Sequence, residues 1–363
     1  MKILHVVGAR PNFMKIAPIM RAMGHYPDSF EQTLVHTGQH YDPQMSQVFF
    51  TELELPRPDV NLEVGSGTHA WQTAQVILGF EPVLLEFKPD WVVVVGDVNS
   101  TLACSLVSSK LGIRVAHVEA GLRSYDRNMP EEINRLLTDQ IADLLFTPSR
   151  DGNENLLREG ISPRIIHFVG NVMIDTLVHL LPKAEARWGK LKEVYCVDER
   201  GFLLVTLHRP SNVDDPHILT KIMAALVEIS REIPVLFPVH PRTRQRINEL
   251  KLLTKSCQMQ NLEPLGYLDF LALQAHAALV LTDSGGIQEE TTYLGIPCLT
   301  ARSNTERPVT ITLGTNQLVK SDTGPLIAAM QMRLGEQPVA KGLPPLWDGH
   351  AAERIVKVFQ GFN

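Results

Sequence analysis

The chain has 363 residues, of which 44% are hydrophobic and 20% charged, and its formal net charge at pH 7 is −6. This composition is typical of a globular protein long enough for two domains, and the acidity without any lysine or arginine run argues against nucleic acid as a partner. Four scattered cysteines without a CxxC pair indicate neither a disulfide framework nor a zinc site. The first apolar run is too short for a signal peptide and no run reaches transmembrane length, so we expect a cytoplasmic protein without a membrane partner.

Short apolar strands alternate with helical stretches along the whole chain. The sequence WVVVV at 91–95 is apolar on both faces, which is typical of a central parallel strand. The alternation predicts an α/β fold with two doubly wound Rossmann-like domains. The predicted strands cover residues 3–8, 33–38, 91–96, 114–119, 144–148 and 166–169 in the first half, and 201–207, 234–239, 262–265, 279–282, 296–300 and 316–319 in the second.

The two sets of strands place one domain at residues 1–170 and the other at 171–350, with a hinge around Gly170–Asp175. The C-terminal helix, residues 351–363, is compatible with either domain, including packing back on the first. Nearly all polar motifs begin where a predicted strand ends, and in open parallel sheets that edge faces the ligand crevice. We therefore expect the two ligand edges to face a central cleft.

The motif GARPNFMK at 8–15 puts two cations at the first strand end. Arg10 lies in the loop and Lys15 on the first turn of the next helix, so both can reach an anion. The alternative is an ordinary helix start with solvated cations. The motif is not GxGxxG and no acidic residue follows at dinucleotide spacing, so bound NAD is not predicted.

Four acidic residues from three predicted elements of the first half lie near its strand ends. Asp97 ends the most buried strand, Glu119 closes the next one, and Glu131 and Glu132 begin a further helix. An aspartate in that position is often an N-cap, and first-turn glutamates are often partners of the helix dipole. Carboxylates from three elements at one edge would repel one another, which would raise at least one pKa toward the range of a general acid or base.

The stretch DSGGIQEE at 283–290 reads as a strand end, a turn through Ser284, Gly285 and Gly286, and a helix start. Free N–H groups and the positive helix dipole make such a turn a phosphate site. Glu290, one turn into the helix, is placed to accept two ribose hydroxyls. The alternative is a strand–helix turn whose acidic residues only stabilise the helix.

Two further cationic residues lie on the same predicted edge. His208 ends the first strand of the second half, beside an arginine, which favours an anion contact over a buried core role. Arg307 in TERPV either contacts the anion or pairs with Glu306 or Glu290. Together these residues describe a diphosphate end, a ribose anchor and a carboxylate cluster, which fits a nucleotide-sugar whose diphosphate leaves from the anomeric carbon.

As an ordered set, the motifs resemble those of the non-hydrolysing UDP-N-acetylglucosamine 2-epimerases. The set consists of GARPNFMK, TGQHYD, GDVNST, HVEAGLRS, MPEEINR, VGN, LHRPSN, PVHPR, DSGGIQEE, TERP and GTNQLV. The resemblance implies a GT-B-like fold with a UDP-binding second domain, a UDP-sugar as the only small-molecule partner, neither NAD nor a catalytic metal, and a homodimer. It also implies polysaccharide biosynthesis as the setting.

The resemblance also implies roles for individual residues. UDP would leave C1 while a carboxylate removes the C2 proton, and the resulting 2-acetamidoglucal would take UDP back with protonation of the other face of C2. Which carboxylate is the base stays open. The resemblance assigns proton transfer and sugar positioning to Asp97, Glu119 and Glu131. It assigns the holding and release of the diphosphate to Arg10, Lys15 and the catalytic His208. The residues implied to bind UDP are Ser284, Gly285, Gly286, Glu290 and Arg307, and Phe270 is implied to contact the uracil.

Two departures bear on the substrate. Many bacterial members read HRREN where this chain has HRPSN, so the allosteric activation by a second substrate molecule seen in those members is not carried over. The segment TGQHYDPQMSQVFF also resembles relatives acting on a UDP-diacetamido-uronic acid sugar, although the retained Arg307 favours plain UDP-N-acetylglucosamine. The alternatives are a 2-epimerase for that modified sugar, a GT-B glycosyltransferase using a UDP-sugar, and a non-catalytic UDP-sugar sensor.

Overall fold

The computed structural model describes residues 1–38, 52–252, 258–334 and 342–362, except for the side chain of Arg10. Most of the segment TGQHYDPQMSQVFF therefore lies outside the described residues. The chain divides into two compact units, one formed by residues 1–179 with 345–363 and the other by residues 180–344. Each unit is built on its own parallel sheet.

The first unit has, within the described residues, a seven-stranded parallel sheet in the order β3-β2-β1-β4-β5-β6-β7. A helix follows every strand of this sheet except β2, after which residues 39–51 lie outside the described part of the chain, and such connections are what parallel pairing requires. The strands are β1 (Lys2–Val7), β2 (Glu31–His36), β3 (Val60–Asn61), β4 (Trp91–Val95), β5 (Arg114–Val118), β6 (Leu144–Thr147) and β7 (Ile166–Phe168). The helices are α1 (Arg10–Gly24), α2 (His69–Phe87), α3 (Asn99–Lys110), α4 (Pro130–Ile141), α5 (Arg150–Arg158) and α6 (Val172–Tyr195), which contributes residues to both units.

The second unit has a six-stranded parallel sheet, again within the described residues, in the order β10-β9-β8-β11-β12-β13. Its strands are β8 (Leu203–Thr206), β9 (Val235–Pro238), β10 (Met259–Leu262), β11 (Leu279–Thr282), β12 (Cys298–Ala301) and β13 (Asn316–Val319). Its helices are α7 (Pro210–Val213), α8 (Pro216–Ile229), α9 (Pro241–Glu249), α10 (Tyr267–His276), α11 (Gly285–Leu294), α12 (Val309–Thr312) and α13 (Thr323–Leu334). The predicted fold class, α/β with two doubly wound parallel sheets, is confirmed.

The central strands of each sheet are apolar on both sides because helices cover both faces of the sheet and bury them. Every residue of β4 is buried, in agreement with its continuous apolar run. The same holds for β11, whose neighbours are β8 and β12. These two strands carry the segments that place Asp97 and Ser284 at the carboxyl edges of their sheets.

The last helix, α14 (Ala351–Gln360), belongs to the first unit. Its Phe359 ring is fully buried, with its centroid 5.5 Å from that of Trp91 and 5.8 Å from that of Phe146. The carboxylate of Asp175 accepts the backbone N–H groups of Ala351 and Ala352 at 3.1 and 2.7 Å. Burial raises the pKa of Asp175 to about 6, despite these two hydrogen bonds.

The structure differs from the sequence prediction at three places. The two-residue edge strand β3 was not predicted, because Val60–Asn61 is too short to show a period. Strand β10 covers Met259–Leu262 and so precedes the predicted 262–265. Gly285 and Gly286 are the first residues of α11 rather than a turn with positive φ. Among the described helices, none is long and apolar enough to cross a membrane.

Candidate active site

Glu119 follows β5 directly and has a left-handed backbone with φ +70°. This conformation is rare for a residue with a side chain, and such residues cluster at functional sites. Its carboxylate forms an ion pair with Lys15 of α1, and both side chains are buried. Gly96, at the end of the neighbouring β4, also has a positive φ of +68°, and a Cβ there would lie 2.8 Å from Lys15 Nζ. The structure therefore brings Lys15 and Glu119 together at the predicted edge.

Asp97 is held by a cation on α4 rather than by a helix start. Its Oδ2 accepts hydrogen bonds from Arg135 Nε at 3.1 Å and Nη2 at 2.7 Å. The N-cap position of α3 is Val98, which forms no side-chain cap, so the N-cap interpretation of Asp97 is wrong. Because Asp97 and Glu119 each have a cation as partner, repulsion between carboxylates does not dominate at this edge.

The two glutamates at the start of α4 have different environments. Glu132 is buried and accepts hydrogen bonds from Ser124 and Tyr125 of the preceding loop and from Arg135 at 2.6 Å. Glu131 is half-buried, and within the described part of the chain its carboxylate has no hydrogen bond or ion pair. Glu132 thus fixes the loop, whereas Glu131 is available for a ligand one helical turn before Arg135.

In the second unit, His208 follows β8 and its ring is oriented by Asp283, which the sequence analysis did not single out. His208 Nδ1 lies 3.0 Å from Asp283 Oδ1. The buried Asp283 also accepts the backbone N–H groups of His208 and Arg209 and the amide of Asn212. Burial opposes ionisation of Asp283. The hydrogen bond and the charge of His208, together with the hydrogen bonds from Arg209 and Asn212, outweigh burial and lower the pKa of Asp283 below its usual value. Nδ1 faces Asp283, which leaves Nε2 of the half-exposed ring for a ligand.

Arg307 packs against the start of α11. Its Nε lies 2.8 Å from Glu289 Oε1 and its Nη1 lies 2.6 Å from Glu306 Oε1. Of the two alternative partners predicted for Arg307, Glu306 is present, whereas the second partner is Glu289 and not Glu290. A Cβ on Gly285 would lie 2.5 Å from Arg307 Nη1, so this glycine allows the guanidinium to approach the backbone.

Ser284 precedes the first residue of α11, and Glu290 lies in its second turn. Ser284 is the N-cap residue, but its hydroxyl does not cap the helix and is half-exposed. Glu290 is buried, with Oε1 accepting the hydroxyl of Tyr267 at 2.9 Å, and Oε2 has no hydrogen bond of ordinary geometry among the described residues. Burial raises the pKa of Glu290 to about 7. Phe270 lies on the same helix as Tyr267 and is half-buried.

Each unit thus carries charged side chains at the carboxyl edge of its parallel sheet, and the second carries a helix start suited to anions. Among the described residues no group of side chains has the arrangement of a metal site. These features define the class of doubly wound α/β proteins that bind phosphorylated ligands at strand ends.

Residues 24–360 match a family model described as UDP-N-acetylglucosamine 2-epimerase. The UDP-N-acetylglucosamine 2-epimerase of Methanocaldococcus jannaschii is 45% identical over 365 residues, which cover 99% of this chain and 98% of that protein. The UDP-2,3-diacetamido-2,3-dideoxy-D-glucuronate 2-epimerase of Pseudomonas aeruginosa is 42% identical over 339 residues, covering 93% of each. The chain belongs to the UDP-N-acetylglucosamine 2-epimerase family, as the sequence motifs predicted.

Solved structures agree with this assignment. The Methanocaldococcus jannaschii UDP-GlcNAc 2-epimerase in complex with UDP-GlcNAc and UDP has a TM-score of 0.91 and 44% identity, over 99% of this chain and 100% of that one. The UDP-GlcNAc 2-epimerase of Neisseria meningitidis bound to UDP-GlcNAc has a TM-score of 0.89 and 30% identity, over 99% and 100% of the two chains. The predicted GT-B-like fold family is therefore confirmed.

Proposed function

We propose that the protein interconverts UDP-N-acetylglucosamine and UDP-N-acetylmannosamine by reversible loss of UDP. The observation that carries the proposal is the family match along almost the whole chain together with the buried Lys15–Glu119 ion pair at a strand end. In this reaction the C2 proton passes to a carboxylate while the C1–O bond breaks and its electron pair leaves with UDP. The product is a 2-acetamidoglucal, to which UDP then adds back as a proton reaches the other face of C2.

The proposed roles follow the environments of the described side chains, and the role of Arg10, whose side chain is not described, follows the motif GARPNFMK alone. Asp97, Glu119 and Glu131 supply proton transfer and sugar positioning, with Lys15 holding the carboxylate of Glu119 in one orientation. Arg10, Lys15 and His208 bind the diphosphate and stabilise it as it leaves, and Asp283 orients His208 for this task.

The UDP-binding role is assigned to the start of α11 and its surroundings. Its N–H groups and Ser284 would take the phosphates, and Glu290 the ribose hydroxyls. The assignment is supported by the half-exposed Ser284 hydroxyl, which does not cap the helix, and by the buried Glu290 oxygen described above. The full set is Ser284, Gly285, Gly286, Glu290 and Arg307, with Phe270 near the uracil.

Incubation with UDP-N-acetylglucosamine in D₂O tests the activity. We expect deuterium at C2 and a manno product without any acceptor. An unlabelled, unchanged sugar would point to a non-catalytic sensor, and transfer that requires an acceptor would point to a glycosyltransferase. Release of free N-acetylmannosamine and UDP would indicate hydrolysis instead.

Glu119→Gln tests the carboxylate in the same assay. The variant should abolish deuterium exchange at C2 and still bind UDP, because glutamine keeps the shape but cannot accept the proton. Glu132→Gln is not a suitable control because it would disturb the preceding loop. Glu86→Gln, on α2, serves as the control and should exchange normally. Normal turnover by Glu119→Gln would refute the role assigned to this residue.

A second candidate substrate is the UDP-diacetamido-uronic acid sugar. It is considered because the chain is 42% identical to the Pseudomonas aeruginosa enzyme, compared with 45% to the plain epimerase of Methanocaldococcus jannaschii. Measurement of kcat/KM for both sugars separates the candidates. We expect the higher value for UDP-N-acetylglucosamine.

We also propose that the protein is a homodimer. The first unit exposes three large apolar residues of α2 at a spacing of seven, Trp71, Leu78 and Leu85, with exposures of 46%, 64% and 58%. A groove of about 400 Å³ between α2 and the start of α4 lies beside them. An apolar helix face of this kind suits a two-fold interface in which the same surface is used by both copies.

Light scattering after size-exclusion chromatography should give twice the mass of one chain. Leu78→Glu should yield folded monomers with an unchanged far-UV circular dichroism spectrum, because the side chain is mostly exposed within one copy. Met332→Glu, at a side chain on α13 that is 62% exposed, is the charge control and should leave the dimer intact. A monomeric wild-type chain would refute the dimer.

A cytoplasmic location is proposed on the free thiols of Cys104, Cys196 and Cys298 in the described chain, since oxidising compartments favour disulfides. Fractionation of cells that express the protein tests this location.

A further inference from the structure

One face of α4 connects to both strand ends that carry the carboxylates. Glu131, Arg135 and Asp139 follow one another at a spacing of four residues, which places them on the same side of the helix. Arg135 pairs with Asp97 after β4, as described above. Asp139 accepts a hydrogen bond from the backbone N–H of Gly121 at 3.1 Å, two residues after Glu119.

Asp139 also holds a fully buried histidine of β5. His117 Nδ1 lies 2.6 Å from Asp139 Oδ1, and His117 Nε2 lies 2.8 Å from the carbonyl oxygen of Gly96. His117 therefore joins α4, through Asp139, to Gly96, the residue that precedes Asp97.

A cation completes the arrangement. Arg123 Nη2 lies 2.7 Å from Asp139 Oδ2, and the same guanidinium forms two hydrogen bonds with Glu159. Burial opposes ionisation of Asp139, but the charge and hydrogen bond of His117, followed by those of Arg123, lower its pKa. The carboxylate of Asp139 is thus held in its ionised form between His117 and Arg123.

We infer that Asp139, through His117 and the Gly121 amide, is a positioning residue that fixes Asp97 and Glu119 in their reactive placement. This inference rests on the proposed epimerase function. The left-handed backbone of Glu119 is unfavourable by itself and persists because the segments on both sides are held. Asp139 has no direct contact with a substrate to make, since it is completely buried.

The test compares Asp139→Asn with Glu159→Gln. Asparagine keeps the shape of the side chain but cannot accept from His117, Arg123 and Gly121 together, so the two strand ends should shift. We expect kcat and the rate of deuterium entry at C2 to fall about 100-fold, the loss expected for a misplacement on the scale of 1 Å. The dissociation constant for UDP should stay within about twofold, since Ser284, Glu290 and Arg307, which are assigned to UDP binding, lie on the second unit and far in sequence from Asp139. Glu159→Gln acts on the outer side of Arg123 and should retain normal kcat.

The outcomes separate this inference from the function on which it rests. If the wild-type protein shows no epimerisation, the proposed function fails. If the wild type is active and Asp139→Asn keeps its kcat, the positioning role is wrong. A parallel loss of kcat and UDP binding with a lowered melting temperature would also overturn it, because that pattern indicates general unfolding.

A second variant covers the case in which Asp139→Asn does not fold. His117→Gln carries both of its N–H donors on a single nitrogen, so it cannot span the two acceptors that face opposite ring nitrogens of His117, and it should give the same loss of kcat with UDP binding retained. If neither variant folds, the pair is a structural part of the core and the inference is refuted.

Discussion

At the scale of single residues, the site depends on charged groups that the fold has removed from water. Glu119 and Lys15 neutralise each other in a buried pair, and removal of one partner alone would leave an uncompensated charge. Glu290 is different, because its partner is the neutral hydroxyl of Tyr267, and burial raises its pKa to about 7. Glu290 therefore changes its charge near neutral pH.

Glu290 should couple UDP binding to proton release. Its ordinary pKa is 4.5, so the raised value stabilises the folded state below pH 4.5, and this contribution is lost as the pH rises through about 7. Ribose hydroxyls donated to the carboxylate would favour its charged form and lower the pKa again. Calorimetry of UDP binding at pH 6.5, in two buffers of different ionisation enthalpy, should therefore show a fraction of a proton released.

Two controls accompany this measurement. At pH 8.5 Glu290 is already ionised, so proton release should vanish, and Glu290→Gln should abolish it at pH 6.5. Proton release that is unchanged in Glu290→Gln would show that another group is responsible.

At the scale of elements, the N-terminus of α11 packs closely against the side chain of Arg307. Gly285 accommodates the guanidinium of Arg307, which Glu289 and Glu306 hold in place. Glu306 also lies 2.8 Å from Arg302. The arginine cannot move aside without breaking two buried ion pairs.

Gly285→Ala should therefore weaken UDP binding and destabilise the second unit. The added Cβ would lie 2.5 Å from Arg307 Nη1, and forced repacking of this kind costs about 1–3 kcal/mol. We expect the dissociation constant for UDP to rise about tenfold, which corresponds to about 1.4 kcal/mol. Gly324→Ala in α13 is the matched control, because a Cβ there meets no atom within 4 Å, and it should be neutral or slightly stabilising. Equal UDP affinity in both variants would contradict the role of Gly285.

At the scale of the whole molecule, the chain finishes in the unit where it began. Residues 345–363 belong to the first unit, where the rings of Phe359 and Phe362 pack near Trp91. Trp347 Nε1 donates to the carbonyl of Pro148 at 2.9 Å. The stability of the first unit therefore depends on residues that follow the entire second unit in sequence.

Phe359→Ala should destabilise the first unit by about 3–5 kcal/mol, the cost of removing a buried phenylalanine. Phe362→Ala is the control, since its side chain is 48% exposed and the loss should be about 1 kcal/mol. Urea unfolding followed by tryptophan fluorescence measures both, because Trp91 and Trp347 report on the first unit and Trp188 on the second. Equal free energies of unfolding for the two variants would show that α14 contributes little.

The sequence by itself determined the α/β class, the position of nearly every strand and the edge at which the polar motifs lie. These features are local, since a strand shows its apolar run and the polar residues that follow it within a few residues. The family was recognisable for the same reason, because its motifs are short and occur in a fixed order.

Only the tertiary structure decided the partners of the charged residues. Lys15 pairs with Glu119 across 104 positions, and His208 with Asp283 across 75. It also decided that Glu132 rather than Glu131 holds the loop, and that Asp139 supports His117. Such pairings depend on which strands become neighbours in a sheet, and the period of a sequence carries no information about contacts over that distance.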